Sequence, residues 1–227
     1  TVAVSDSFSP TSTVTREFTL PVNEEGKSPS TIRFFGETFE LEDNTVVFVL
    51  DYTGSTGARV GHPITDENGH TISNPTKLDY IKVEFAKAVL SMSENVKFSA
   101  VMFSSAGIRV WKRQLMDATP QNKSAAIAWV RSFSSHGASP VYNGFEAATQ
   151  FGAKTVMLTC DGPPNSGKYP SPSSCGPAII NLAESEGLTV HTFGIVLGSY
   201  SPDEERVTRH MLQDIAMATG GKYTDVR

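Results

Sequence analysis

Two aspartates, Asp51 and Asp161, each follow a short apolar run and precede turn-forming residues. The first lies in TVVFVLDYTGST (residues 45 to 56), where the hydroxyl residues Thr53 and Ser55 come two and four positions after the acid; the second lies in VMLTCDGPPN (156 to 165). Carboxylates and hydroxyls together suit a hard cation such as Mg²⁺, and a carboxylate is also a nucleophile for phosphoryl transfer. Each acid also suits a purely structural role, because Asp accepts backbone hydrogen bonds in turns.

A third hydroxyl candidate is Ser139, in HGASPVYNGF (136 to 145). A serine before a proline at a helix start is typical of an N-cap followed by a first-turn proline, and needs no ligand. A role for Ser139 as an oxygen ligand, in contrast, is implied only by a family resemblance of the segment around it. Both interpretations stay open at this point.

The elements around these residues alternate between strands and helices. Val46 to Leu50 form a continuous apolar strand, typical of a sheet buried on both faces. Residues 95 to 113 indicate a hairpin around a Ser-Ser-Ala-Gly turn. Further helices and strands follow: a helix capped by Thr76 and Asp79, a helix over 125 to 133, one opening at Ser139, strand 155 to 159, a helix over Ile179 and Leu182, strand 188 to 196, a helix capped by Ser201 and Glu204, and strand 222 to 226.

This order predicts an α/β fold with a doubly wound, mostly parallel central sheet, one antiparallel edge strand and helices on both faces. In such sheets ligands bind at the carboxyl ends of the strands. Asp51 and Asp161 both lie at that edge, which we call the rim. The fold class therefore predicts that the two acids lie close together.

Composition excludes two classes of partner. The 227 residues are 39% hydrophobic and carry a net charge of −5 without a basic cluster, which argues against a nucleic-acid surface. No apolar run approaches the roughly 20 residues that a membrane-spanning helix needs. We therefore expect no nucleic-acid partner and no membrane span in this chain.

Two segments and one cysteine pair lie outside this core pattern. Residues 1 to 30 are rich in Ser, Thr and Pro and predict a stalk or an added edge strand, with strand alternation over 12 to 22, before a compact domain at 31 to 227. Residues 57 to 77 are long for a strand-to-helix connection, and Asn68-Gly69 predicts a small hairpin there. This segment is either part of a partner surface or an inert decoration.

Cys160 and Cys175 flank a Pro/Ser-rich loop. They are either bridged, which implies an oxidising compartment, or two separate buried thiols.

One resemblance favours an enzyme. DYTGST resembles the DKTGT phosphorylation motif of P-type ATPases in the haloacid dehalogenase superfamily, and CDGPPN resembles the later GDGxND motif. It implies a magnesium-dependent phosphoryl transfer with Asp51 as nucleophile. However, Thr53 stands where that family's phosphatases have a second acid, and Ser166 stands where the ND acid is expected. The lysine that would neutralise charge in such an enzyme is also in doubt. Lys154 begins its strand about 20 Å from the rim, at roughly 3.3 Å per residue.

A second resemblance spans about residues 31 to 225. VVFVLDYTGST is similar to the start of a von Willebrand factor type A domain, whose metal-ion-dependent adhesion site begins D-x-S-x-S; HGASPVYNGF is similar to its threonine segment, and MLTCDGPP to its later acidic turn. This sequence departs from the pattern because Thr53 replaces serine, Ser139 replaces threonine and Cys160 precedes the acid. The resemblance implies a Rossmann-like fold and a metal site formed by Asp51, Thr53, Ser55, Ser139 and Asp161.

The family resemblance also implies a function. The hydroxyls would bind Mg²⁺ (or Mn²⁺ or Ca²⁺) directly, the two aspartates would hold coordinated waters, and a carboxylate of a protein or other macromolecule would supply the last oxygen. We therefore expect a non-enzymatic adhesion module in an extracytoplasmic location, at the cell surface, in the periplasm or secreted. The alternatives are the phosphoryl-transfer enzyme and an interaction module that has lost its metal.

Overall fold

The structure is a computed structural model that describes residues 29–227. The strand expected over 12 to 22, and nearly all of the expected stalk, lie outside the described residues. The strands are β1 Thr31–Phe34, β2 Glu37–Glu40, β3 Thr45–Asp51, β4 Ile64–Thr65, β5 Thr71–Ile72, β6 Lys97–Phe103, β7 Arg109–Val110, β8 Met116–Asp117, β9 Thr155–Cys160, β10 Thr189–Ile195 and β11 Tyr223–Val226. The helices are α1 Lys77–Ser91, α2 Pro120–Arg131, α3 Val141–Ala148, α4 Pro172–Glu186 and α5 Pro202–Ala218.

The central sheet confirms the predicted fold class. Its strand order is β11-β10-β9-β3-β6-β7, and β8 also pairs with β6. The five strands from β11 to β6 are mutually parallel, whereas β7 and β8 run antiparallel to β6. The predicted antiparallel edge is therefore present, but in two short pieces that pair with opposite ends of β6.

Strand β3 lies between β6 and β9 and is buried on both faces. Val46, Phe48 and Leu50 pack into a core with α1 and α2, whereas Val47 and Val49 pack into a second core with α3, α4 and α5. The alternation follows from the two-residue period of a strand. Helices thus cover both faces of the sheet, and β3 and β9 end side by side at the rim.

The helix starts follow the capping residues. Thr76 with Asp79, and Ser201 with Glu204, each form the expected capping box. Helix α2 begins at Pro120, earlier than the expected start near residue 125, because the Thr119 hydroxyl accepts from the Asn122 N–H and proline occupies the first turn.

The sequence reading did not identify the hairpin formed by β1 and β2. Its turn has Phe35 and Gly36 at positive φ, and Phe34 packs edge-on against Phe48 and Phe193. A phenylalanine is unusual in this backbone region, so the turn carries little of the Asn-Gly or Asp-Gly signal by which hairpins are recognised. The predicted hairpin at Asn68-Gly69, in contrast, is present as β4 and β5.

The two cysteines are free thiols in the structure, and both are buried. The Cys160 thiol donates to the Gly162 carbonyl, with 2.9 Å between sulfur and oxygen. Of the two alternatives left by the sequence, the structure thus contains two unbridged thiols. Across residues 29–227, none of the helices is long and apolar enough to cross a membrane.

Candidate functional site

Asp51 is the central acid of the rim and is fully buried. Its Oδ1 accepts from the Thr53 N–H at 2.8 Å and its Oδ2 accepts from the Asp161 N–H at 3.4 Å. Its own N–H donates to the Thr159 hydroxyl at 3.0 Å. Asp51 therefore fulfils the structural role that its turn position predicts, and this role also fixes its carboxylate beside the second acid.

A short 3-10 helix, Gly54–Gly57, positions the two hydroxyls that follow Asp51. The Thr56 hydroxyl anchors this turn by donating to the Thr53 carbonyl at 2.7 Å. The Thr53 and Ser55 hydroxyl oxygens lie 3.0 Å apart, and the Ser55 hydroxyl donates to Asp161 Oδ1 at 2.7 Å. The structure therefore brings four of the five predicted residues, Asp51, Thr53, Ser55 and Asp161, into one hydrogen-bonded cluster.

The loop that carries Ser139 is hydrogen-bonded to the segments that follow Asp51 and Asp161. The Gly54 N–H donates to the Gly137 carbonyl at 2.8 Å, which joins the Ser139 loop to the turn after β3. Asn165 holds Ser139 from the loop after β9: its Oδ1 accepts from the Ser139 N–H at 2.7 Å, and its N–H donates to the Ser139 carbonyl at 3.2 Å. No side-chain hydrogen bond joins Ser139 to the four clustered residues in the described part of the chain.

The alternative role of Ser139 as a helix cap is wrong. Helix α3 begins at Val141, its N-cap is Pro140, and no side chain caps it. The Ser139 hydroxyl is buried and has no hydrogen-bond partner within residues 29–227. An unpaired buried hydroxyl is costly and calls for a partner such as water, an ion or a ligand.

A lysine that the sequence interpretation missed also lies in this site. Lys77, the first residue of α1, is fully buried, and its ammonium lies 3.3 Å from Asp161 Oδ2. The ammonium also donates to the Ser199 hydroxyl at 2.7 Å and lies 5.3 Å from the centre of the Tyr200 ring. The sequence contains one indication of this lysine: a positive charge at the first helical position opposes the helix dipole, so a lysine there calls for another partner.

Burial and charge raise the pKa of both acids. Burial, followed by the charge of Asp161, raises the pKa of Asp51 to about 8. Burial also raises the pKa of Asp161, although Lys77 and the Ser55 hydroxyl partly oppose this. Two neighbouring buried carboxyls with one ammonium, which is paired with Asp161, lack positive charge, so a further cation would stabilise their ionised forms.

The donor types fit a hard cation. The site offers three hydroxyl oxygens and two carboxylates, which are the ligand types that Mg²⁺ prefers, and one of the hydroxyls has no partner in the described residues. It is not a carboxylate-rich or histidine site: no group of three or more His, Cys, Asp or Glu in the described range is placed to hold a metal. Any cation here would therefore depend on hydroxyls.

Comparison with known proteins gives a fold. No protein-family model matches the sequence, and no curated protein matches it. Similar solved structures include a von Willebrand factor type A protein from Catenulispora acidiphila, with 20% identity, TM-score 0.59, and coverage of 84% of this chain and 40% of that one. A second is the pilus adhesin SpaC from Lactobacillus rhamnosus GG, with 15% identity, TM-score 0.57, and coverage of 80% of this chain and 28% of that one. A third is the vWF domain of the pili tip protein Mfa5 from Porphyromonas gingivalis, with 11% identity, TM-score 0.50, and coverage of 86% of this chain and 90% of that one.

These similarities define the class of fold. The chain has the mixed α/β, Rossmann-like fold of von Willebrand factor type A domains, as its sequence motifs suggested. It spans less than two thirds of the first two proteins, at 40% and 28% of their lengths, and nearly all of the Mfa5 domain. At identities of 11 to 20%, the similarity extends to the fold alone.

Proposed function

We propose that this chain is an interaction module that binds a divalent cation at the rim and, through it, a carboxylate of a protein partner. Asp51, Thr53, Ser55, Ser139 and Asp161 would hold the cation, with Mg²⁺ as the first candidate and Mn²⁺ or Ca²⁺ as alternatives. The observation that carries the proposal is the Ser139 hydroxyl, which is buried and has no hydrogen-bond partner among residues 29–227. Its loop is hydrogen-bonded to the turn that follows Asp51 and to the loop that follows Asp161. A bound divalent cation would supply an electrophilic centre that accepts a partner's carboxylate oxygen.

The residues of the chain would divide this task by charge. Thr53, Ser55 and Ser139 offer neutral oxygens, which leave a bound cation electrophilic, whereas Asp51 and Asp161 balance its charge. The hydrogen bonds from the Thr53 and Asp161 N–H groups hold the Asp51 carboxylate in place. Asn165 acts as a positioning residue, because it fixes the backbone of Ser139 on both sides.

The partner surface in this proposal includes residues 57 to 77. This segment starts at the end of the Gly54–Gly57 turn and ends at Lys77, so both of its ends border the site. Its β4–β5 hairpin is held by Asp66, whose Oδ1 accepts from the Asn68 and His70 N–H groups. A hairpin whose turn is fixed by hydrogen bonds, in a segment that borders the rim, is suited to recognise a protein surface, because loops on a rigid scaffold tend to carry specificity.

Two of the solved structures with this fold are described as a pilus adhesin and a pili tip protein. They support a role in protein interaction and an extracytoplasmic location for this chain. Partner and location are parts of the proposal, because the structural similarity extends to the fold alone.

The proposal is tested by metal-dependent thermal stabilisation of the wild type and Ser139→Ala. A ligand that binds only the native state stabilises it by about 2.7 kcal/mol at 100 times its Kd. We expect Mg²⁺ or Mn²⁺ to raise the melting temperature of the wild type, and the increase to be largely lost in Ser139→Ala. The metal-free variant should melt close to the wild type, because this hydroxyl makes no hydrogen bond among the described residues.

Ser99→Ala is the matched control. Ser99 is a buried serine in the middle of β6 whose hydroxyl donates to the Lys112 carbonyl, so the variant should lose stability but keep the metal response. An equal metal response in Ser139→Ala and the wild type would reject the assigned site. No response in any variant would favour the metal-free module.

The enzyme alternative gains one feature from the structure, because Lys77 places an ammonium beside Asp161 where Lys154 could not reach. We still propose a non-enzymatic module, since Thr53 occupies the position of the second acid. Incubation with a phosphate donor and Mg²⁺, followed by mass spectrometry, should leave Asp51 unmodified. A phosphorylated Asp51 would identify the chain as a phosphoryl-transfer enzyme instead.

A further inference from the structure

Lys77 carries a positive charge inside the proposed metal site. Its side chain is fully buried, and its ammonium contacts Asp161 Oδ2, the Ser199 hydroxyl and the face of the Tyr200 ring. A buried ammonium is costly unless it is paired and hydrogen-bonded, and these contacts come from the segments after β9 and β10. The Lys77 ammonium is therefore held at the rim by specific contacts.

The Lys77 ammonium is paired with Asp161, which is also a ligand in the proposed metal site. Ser55 donates to Asp161 Oδ1 and Lys77 to Asp161 Oδ2, so both oxygens of this carboxylate are occupied. With both acids ionised, Lys77 already cancels one of their two negative charges. A divalent cation entering beside it would meet an occupied carboxylate and a like charge.

The contacts of Lys77 also hold down the segment Leu197–Tyr200. Tyr200 packs so closely on Gly162 that a Cβ at that glycine would lie 2.3 Å from the tyrosine ring. The same segment follows Val196, a β-branched residue with a φ of 45°, which is a strained backbone conformation. Lys77, Ser199 and Tyr200 thus hold the segment after β10 against the loop after β9.

We propose that Lys77 acts as a tethered cation that competes with the divalent metal for Asp161 and sets the metal affinity of the site. In the metal-free protein the ammonium is the counter-ion of Asp161 and fastens the Leu197–Tyr200 segment through Ser199. Metal binding requires the ammonium to give up Asp161, which weakens its hold on that segment. This inference rests on the proposed metal-binding function.

The test is the Kd for Mn²⁺, measured by isothermal titration calorimetry on the wild type, Lys77→Gln and Lys87→Gln. Glutamine keeps N–H donors for Asp161 and Ser199 but removes the charge, so Lys77→Gln should bind Mn²⁺ at least about tenfold more tightly. Lys87 lies on the same helix and pairs with Glu84. Its variant makes the same change in net charge and should bind like the wild type.

Ser199→Ala separates displacement of the ammonium from simple repulsion and covers the case in which Lys77→Gln does not fold. It leaves the charge of Lys77 intact but removes its second acceptor, so it lowers the cost of moving the ammonium; we expect Mn²⁺ to bind about two- to fivefold more tightly. Unchanged or weaker binding in Lys77→Gln, or in Ser199→Ala should Lys77→Gln not fold, while the wild type binds Mn²⁺, would overturn the role of Lys77 alone. Absence of Mn²⁺ binding in all of these proteins would overturn both proposals.

Discussion

Asp51 has a structural role at the rim and is also a ligand in the proposed metal site. It accepts backbone hydrogen bonds from Thr53 and Asp161, and this holds the ends of β3 and β9 together at the rim. It also lies beside a second buried acid, an arrangement that is unfavourable without a cation. The structural and metal-binding interpretations of this residue are therefore compatible.

The two roles of Asp51 can be separated with Asp51→Asn. The amide oxygen can still accept from the Thr53 N–H, but the amide nitrogen cannot accept from the Asp161 N–H, so metal-free stability should fall by about 1 to 3 kcal/mol, partly offset by the lost repulsion with Asp161. The metal-dependent rise in melting temperature should disappear, because one of the two balancing charges is gone. Differential scanning calorimetry with and without Mg²⁺ measures both effects, and a preserved metal response would exclude Asp51 from the site.

Some site residues follow from the sequence and others do not. Asp51 and Asp161 could be placed because they end apolar strands, and parallel strands present those ends at one edge. Lys77 could not be placed by motif, because its side chain meets the site only after α1 packs on the sheet. Asn165 was missed because its two hydrogen bonds to Ser139 depend on loop conformation, for which its Pro-Pro-Asn context gives no specific signal.

At the scale of elements, α3, the helix that follows Ser139, packs closely on β6. Gly144 of α3 faces Phe103, and a Cβ at this position would lie 2.6 Å from the Phe103 Cβ. Phe103 is the last residue of β6, at the same rim as Asp51. A small residue at position 144 therefore sets the depth at which α3 and the Ser139 loop lie.

Gly144→Ala should destabilise the protein by about 1 to 3 kcal/mol. Helix propensity alone would favour alanine by about 1 kcal/mol, but the overlap with Phe103 forces the helix and strand apart. Gly176→Ala in α4 is the control, because its Cβ would approach only the Met211 side chain, at 3.0 Å. Urea unfolding should show a smaller loss for Gly176→Ala than for Gly144→Ala, and the reverse order would contradict the packing account.

The elements were predicted best where local signals and burial agreed. The apolar run of β3 and the capping boxes of α1 and α5 were read correctly. The β1–β2 hairpin was missed because tertiary packing of Phe34 on Phe48 and Phe193 stabilises a turn whose own residues do not favour it. Long-range contacts of this kind leave no periodic pattern in the sequence.

At the scale of the whole molecule, the site exists only when the fold is complete. The hydrogen bond from Ser55 to Asp161 joins residues 106 positions apart, and that from Lys77 to Ser199 joins residues 122 positions apart. Two cores on opposite faces of the sheet hold these loops at one edge. Global unfolding should therefore remove metal binding together with the fold.

The stability of the whole fold should depend on pH through His191. This histidine of β10 is buried, its Nδ1 accepts from the Lys222 N–H, and burial, followed by the Lys222 charge, lowers its pKa to about 4. Its ordinary pKa is 6.5, so between these values the unfolded chain binds more protons than the native state. The free energy of unfolding should therefore fall as pH is lowered from about 6.5 to about 4, by up to about 3 kcal/mol from this group.

Urea unfolding of the wild type and His191→Asn between pH 7 and pH 4.5 checks this dependence. The asparagine oxygen can accept in place of Nδ1 without titrating, so the difference in stability between the two proteins should shrink or reverse as the pH falls. His70→Asn is the control, because the side chain of His70 is 78% exposed. A constant difference between wild type and His191→Asn across this range would contradict the assignment.

The most direct test of the central claim is a crystal structure determined with Mn²⁺, with diffraction data collected at the manganese absorption edge. The account predicts an anomalous peak at the rim, in contact with the hydroxyl oxygens of Thr53, Ser55 and Ser139, and a Lys77 ammonium withdrawn from Asp161. A peak bound only by other residues, or no peak at the rim at a saturating Mn²⁺ concentration, would contradict the proposed metal site.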